Sequence, residues 1–175
     1  INDAPTCNLT SPTPGQWYSK AIYINVTAYD TLDAPEGYIE RVEFYYSLSG
    51  NDNDWQSCSA PDTEAPYSIL WYTQPINGED TSVYLMARAY DNDGLYTESS
   101  PMMIKVDNHP PRFTTWTTVP ENLTAEYDGV FNISVEIVDF GSGVDPNSVV
   151  MEFWFADANT NLTPPVRINM AQATG

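Results

Sequence analysis

Runs in which apolar and polar residues alternate one for one recur along this chain. A period of two is compatible with a half-buried strand and with little else. Ala21 to Ala28 reads AIYINVTA, with Ile22, Ile24 and Val26 on one face and Tyr23, Asn25 and Thr27 on the other. Ile39 to Ser47 repeats the pattern with Val42, Phe44 and Tyr46, and Tyr67 to Tyr72 (YSILWY) gives a third strand. Ser82 to Tyr90 sets Val83, Leu85, Ala87 and Ala89 against Tyr84, Met86 and Arg88, and Pro101 to Val106 follows. Clusters of Gly, Pro, Asn and Asp separate the runs, the longest from Ser49 to Pro61. Uninterrupted Ala/Leu/Glu/Lys stretches are nearly lacking, so the expectation is an all-β protein of two packed sheets.

Comparing the chain with itself locates the modules. Ile1-Asn2-Asp3-Ala4-Pro5 resembles Val106-Asp107-Asn108-His109-Pro110-Pro111. Each has an apolar strand end, an Asp/Asn pair and then Pro, which stops pairing and stiffens a linker. Beyond the second copy, Val130 to Asp139 parallels Ile22 to Asp30, and Val149 to Phe155 parallels Val42 to Tyr46. A seven-stranded sandwich takes about 100 residues. The expected division is therefore one complete module over residues 1–108 and the first part of a second over 109–175. The second is either a piece of a longer array or is completed by a strand from another chain.

Formal net charge is −18, from 24 acidic and six basic residues. Such a surface repels nucleic acid and anionic lipid. Aromatic residues at 13% supply enough apolar area for a folded core, so the acidity belongs to a folded surface. No apolar run is long enough to span a bilayer, and a start at Ile1 reads as a processed or excised piece. Two cysteines, Cys7 and Cys58, are an even number in a chain of extracellular character, so a disulfide is expected. Closing that loop would stabilise the fold by about 3 to 4 kcal/mol.

Ordered short motifs carry a family resemblance. They are Ser11-Pro12 with Gly15, Ala28-Tyr29-Asp30, Ile39-Glu40-Arg41-Val42-Glu43-Phe44-Tyr45, and Ala65-Pro66-Tyr67-Ser68 leading to Trp71. Ala87-Arg88-Ala89-Tyr90-Asp91-Asn92-Asp93-Gly94 and the closing Val106-Asp107-Asn108 complete the series. In this order they resemble the bacterial-type immunoglobulin-like domains strung along secreted enzymes, adhesins and surface-layer proteins. Asp139-Phe140-Gly141-Ser142-Gly143-Val144-Asp145-Pro146 resembles a turn of related repeats. The resemblance implies an immunoglobulin-like β-sandwich used as spacer, stalk or adhesive unit, with Trp71 at the family's core tryptophan position.

Catalytic chemistry finds little footing. The one histidine, His109, lies in the linker before two prolines, so neither a Ser/His/Asp triad nor a multi-histidine metal site can be built on it. Calcium is the sharper expectation, because hard cations take six to eight oxygen ligands. In an immunoglobulin-like sandwich the second and sixth strands end at the pole where the chain enters, which would bring Asp3, Asp30 and Asp33 near Asp91 and Asp93. At the next junction the counterparts are Asp107 and Asn108 with Asp139 and Asp145, and Val106 to Phe113 resembles the calcium-binding linker of cadherins. The same residue types also form turns by bonding their own backbone.

Sequons at Asn8, Asn25, Asn122, Asn132 and Asn161 are candidate glycosylation sites, with Asn25 and Asn132 at equivalent outward strand positions. Trp55, among Asn51, Asp52, Asn53 and Asp54, reads as a loop aromatic available to a ligand such as a glycan. The reading that follows is a non-catalytic structural or interaction module of a prokaryotic extracellular assembly, such as a surface layer, filament or adhesin stalk. Its partners would be neighbouring modules or copies of itself at the cell surface. The alternative is an accessory or carbohydrate-binding module of a secreted polysaccharide-degrading enzyme.

Overall fold

The computed structural model describes residues 3–30, 37–77, 81–116, 135–153 and 166–169. The chain divides into two compact units, one of Ile1–His109 with Phe140–Ser142, the other of Pro110–Asp139 with Gly143–Gly175.

Among the described residues, nine strands build the first unit. They are β1 (Thr6–Ser11), β2 (Trp17–Tyr18), β3 (Ala21–Tyr29), β4 (Ile39–Ser47), β5 (Gln56–Ser57), β6 (Ser68–Tyr72), β7 (Thr81–Asp91), β8 (Tyr96–Glu98) and β9 (Met102–Val106). One sheet has the order β1-β3-β6; the other runs β2-β9-β7-β4-β5, with β8 also on β7. Placing β1, β3 and β6 in one layer and β4, β7 and β9 in the other is the immunoglobulin arrangement. The expected all-β, immunoglobulin-like sandwich is what forms.

Alternation dictates which side chains meet. In β3 and β6, Ile22 pairs with Trp71 and Ile24 with Ile69, while Tyr23 and Leu70 form an outward pair. Across the other layer Phe44 pairs with Ala87 and Val42 with Ala89, small residues opposite large ones. Ile24, Val42, Phe44, Val83, Leu85, Ala87, Ala89 and Ile104 are all at most 1% exposed. Trp71 is buried and its ring lies 5.0 Å from that of Tyr46 in the facing sheet. Met86 breaks the rule, being buried although it follows inward Leu85.

β7 is long enough to pair with two strands in succession on one edge. Thr81 to Leu85 faces β9, and Arg88 to Tyr90 faces β8. Buried Ser99 spans the interruption: its N–H donates to Ala87 O at 2.8 Å and its Oγ accepts the Ala87 N–H at 3.0 Å.

Strand directions define two poles. β3 and β7 both end, and β1 and β4 both begin, at the proximal pole, as the pairs Thr6↔Tyr29 and Ile39↔Asp91 require. The Cys7 thiol, paired in register with Ala28, reaches Ala87 O at 3.6 Å and aligns the two layers there. β9 ends at the opposite, distal pole, since Val106 pairs with Thr81. The chain enters the sandwich at one pole and leaves from the other.

In the second unit, β10 (Arg112–Trp116) pairs antiparallel with β11 (Val135–Val138), and β12 (Val150–Phe153) with β13 (Val166–Asn169). The β10–β11 register breaks between Phe113 and Thr115, as the β1–β3 register breaks between Leu9 and Ser11. The expected strands from Val130 and from Val149 overlap β11 and β12; residues 130–134 and 154–155 lie outside the described residues.

Candidate functional site

At the proximal pole, Asp91 organises the β7–β8 turn. Its Oδ1 accepts the N–H groups of Asp93 (2.9 Å) and Leu95 (2.8 Å), and its own N–H donates to Leu95 O. Gly94 completes the turn at φ +91°, a left-handed conformation that costs glycine nothing. Asn92 ties the turn to the start of β4, accepting from Tyr38 N–H at 3.0 Å and donating its own N–H to Tyr38 O at 3.1 Å. Asp91 is fully buried, and Asp30 follows directly on β3. Asp93 and Asp3 are exposed, and Asp33 lies outside the described residues.

The distal pole is built on Asn108. Its Oδ1 accepts from Lys20 N–H (3.0 Å) and Thr73 Oγ1 (3.1 Å), and its Nδ2 donates to Thr73 O (2.8 Å) and Ile76 O (3.1 Å). These bonds hold Lys20 at φ +64°, a strained backbone for a residue with a side chain. Asp107 accepts from His109 N–H and from both the N–H and Oγ of Ser142. In the second unit Asp139 accepts from Gly143 N–H, and Asp145 caps the short helix Pro146–Ser148. Of the side-chain oxygens expected to face a metal, Asp91 Oδ1 and those of Asp107, Asn108, Asp139 and Asp145 thus accept from backbone N–H groups. The reason is local: Asx residues next to turns satisfy nearby amides first. Among the described residues no three of His, Cys, Asp and Glu come together as a metal cage.

Between the poles lies a feature that the alternation did not reveal. β2 runs parallel to β9, pairing Trp17 with Lys105 and Tyr18 with Val106. Beside the ladder itself, backbone bonds run from Gly15 N–H to Met103 O (2.8 Å), from Lys105 N–H to Gln16 O (3.0 Å) and from Asp107 N–H to Tyr18 O (3.0 Å). Lys105 Nζ sits 4.8 Å from the Trp17 ring centroid.

The outer face of the same sheet interleaves cations and aromatics. Arg41 lies 3.7 Å over the Tyr90 ring, and Arg88 lies 4.8 Å from Tyr96 and 5.4 Å from Tyr45. Arg41 pairs with Glu40 and Glu43, and Arg88 with Glu98. Burial pushes the Glu43 carboxyl up, but hydrogen bonds from Tyr45 and Arg41 and the nearby positive charges outweigh it and hold it low. Tyr45 is pushed up to about 12, by burial first and then by donating to Glu43. Two of the six basic residues, Arg41 and Arg88, therefore occupy one ion-paired face of an acidic protein.

The expected disulfide is not formed: Cys7 and Cys58 are free thiols. Both behave as small apolar groups. Cys7 belongs to the buried core and Cys58 packs against it from the segment after β5. Burial raises the Cys7 thiol and pushes Cys58 up to about 12. Asn8 is exposed on β1, while Asn25 is half-buried with its Oδ1 accepting from Ser68 Oγ at 2.6 Å. Asn122, Asn132 and Asn161 lie outside the described residues. Trp55 is half-buried, not fully presented, in a loop braced by Asp54, which accepts from Ser47 and Ser49. His109 is exposed in the linker.

Strand order, register and the buried tryptophan define an immunoglobulin-like β-sandwich. The bacterial Ig domain profile matches residues 5–135, and the chain belongs to that family. No curated protein matches it. Among solved structures it is similar to the fibronectin(III)-like modules of Clostridium thermocellum CbhA, at 25% identity over 62% of this chain and 48% of that one, with a TM-score of 0.41. It is also similar to the endo-beta-1,4-mannanase from Thermotoga petrophila, at 14% identity over 61% of this chain and 20% of that one, TM-score 0.44. A third is the superoxide reductase from Ignicoccus hospitalis, at 15% identity over 60% and 81%, TM-score 0.41. The chain spans about half the length of the first of these and a fifth of the second.

Proposed function

We propose that the chain is a non-catalytic, load-bearing spacer in a prokaryotic extracellular assembly such as a surface layer, filament or adhesin stalk. Membership of the bacterial Ig family supports a structural or interaction module. The observation that carries the finer reading is the geometry of the terminal strands. The sandwich is entered at one pole and left at the other, and the parallel β2–β9 pair lies between. Tension along the chain loads the β2–β9 bonds lengthwise and together, so all must fail at once. A module with both ends at one pole would unzip bond by bond.

A second reading, the carbohydrate-binding accessory module, is favoured by one observation. Tyr23 and Tyr72 are 63% and 58% exposed, with Leu70, on the outer face of β3 and β6. Rings so presented suit the apolar faces of sugars.

The test is labelling of intact cells that make the parent protein, using a membrane-impermeant amine reagent. The spacer reading expects the parent to be labelled without lysis and to fractionate with envelope or filament material. A parent protected until lysis contradicts it. A parent secreted free, whose purified module is retained by insoluble polysaccharide and released by Tyr72→Ala, favours the second reading.

A further inference from the structure

Two carboxylate oxygens at the proximal pole lack a partner. Asp30 Oδ2 and Asp91 Oδ2 are both shielded from solvent and accept no hydrogen bond. Asp91 is 0% exposed, and its other oxygen already takes both turn amides. The sequence thus commits Oδ1 to the turn and leaves Oδ2 without a hydrogen-bond partner. Burying carboxylate oxygens in this way is unfavourable unless a positive charge meets them.

Among the described residues of the first unit, the arginines on the strands that end or begin at this pole are engaged elsewhere. Arg41, one register position from Asp91, lies over the Tyr90 ring and is held by Glu40 and Glu43. Arg88 is held by Glu98, and Lys20 and Lys105 belong to the distal half. Asp30 directly follows β3 and Asp91 ends β7, strands of opposite sheets that finish at the same pole.

We infer that Asp30 and Asp91 bind a hard divalent cation, Ca²⁺, through their Oδ2 atoms, closing the proximal pole by joining the ends of the two sheets. Two carboxylates leave most of the coordination shell to carbonyl oxygens and water. Calcium tolerates such an irregular shell, whereas magnesium demands a near-ideal octahedron. With so few charged ligands the affinity falls in the 10⁻⁴–10⁻³ M range typical of extracellular calcium modules, taken as an order of magnitude. This site is independent of the spacer reading: a carbohydrate-binding module would bind the ion equally.

The test uses the whole chain in two measurements. In the first, thermal unfolding is compared in millimolar calcium, in equimolar magnesium and in EGTA, at matched ionic strength. Calcium is expected to raise the midpoint by about 5 °C or more over EGTA and magnesium by far less. Asp91→Asn keeps the Oδ1 acceptor for both turn amides while deleting the charge, and it should lose the calcium response, as should Asp30→Asn. In the second, terbium luminescence sensitised by the nearby Tyr29 and Tyr38 should saturate, be displaced by calcium and fall at least about ten-fold in affinity in either variant. The inference is overturned if calcium and magnesium shift the midpoint equally, which is screening of an acidic protein only. It is overturned equally if Asp91→Asn is more stable than the parent in EGTA and responds to calcium as the parent does.

Discussion

Asn108 and Thr73 are bonded to each other twice: Thr73 Oγ1 donates to Asn108 Oδ1 at 3.1 Å, and Asn108 Nδ2 donates back to Thr73 O at 2.8 Å. With further bonds to Lys20 N–H and Ile76 O, one side chain closes the end of the β3–β6 layer onto the segment that follows β9. At about 0.5 to 1.5 kcal/mol per bond, partly offset by rehydration, Asn108→Ala should cost about 2 kcal/mol in urea unfolding. Asn108→Asp should cost at least as much, because a carboxylate cannot donate to the two carbonyls it would face. A near-neutral Asn108→Asp would mean these bonds do not hold the pole.

Ser99 lies where β8 gives way to β9, and its hydroxyl is the acceptor for the Ala87 N–H in the centre of the core. Ser99→Ala leaves that buried donor unsatisfied and should cost about 1 to 3 kcal/mol. Hydrogen exchange at Ala87 should quicken in the same variant. Unchanged exchange would show that another acceptor takes over.

Alkaline stability follows from two groups. Tyr45 and Cys58 are pushed up to about 12 from ordinary values of 10.0 and 9.0. The folded state holds their protons more tightly than the unfolded state, so their stabilisation is fully present below about pH 9 and is lost as pH rises towards 12. The urea midpoint should fall across that interval, and Tyr45→Phe combined with Cys58→Ala should flatten the decline. Glu43, held low, acts with the opposite sign: its contribution is present above its ordinary 4.5 and fades as pH falls. A midpoint that rises between about pH 9 and 11 would contradict the burial of these groups.

The strands legible in the sequence are those whose own residues carry the pattern. β3, β4, β6 and β7 alternate apolar and polar positions, and the inward sets Ile22/Ile24/Val26 and Val83/Leu85/Ala87/Ala89 are the buried ones. β1, β2, β5 and β8 are short or polar, and distant partners stabilise them: Trp17 and Tyr18 are strand only because Lys105 and Val106 lie beside them. Asn108 and Asp107 stood out as acidic or amide residues near a boundary. Their bonding was not legible, because Thr73, Ile76 and Ser142 are remote in sequence. The cysteine pairing rested on compartment, which carries no geometry, and the thiols instead pack as core residues.

Resistance to tension through the terminal strands, as proposed for this module, can be measured by pulling one molecule from two pairs of points. Handles at Asp3 and His109 load the β1–β3 and β2–β9 pairings lengthwise. Handles at exposed Ser19 and His109 instead peel β2 from β9, starting at the pole where both strands end. Forced unfolding reports the barrier along the loaded direction rather than equilibrium stability. A rupture force several-fold higher is expected for the first pair than for the second. Equal forces in the two geometries would contradict it and leave an ordinary immunoglobulin-like sandwich with no built-in resistance to load.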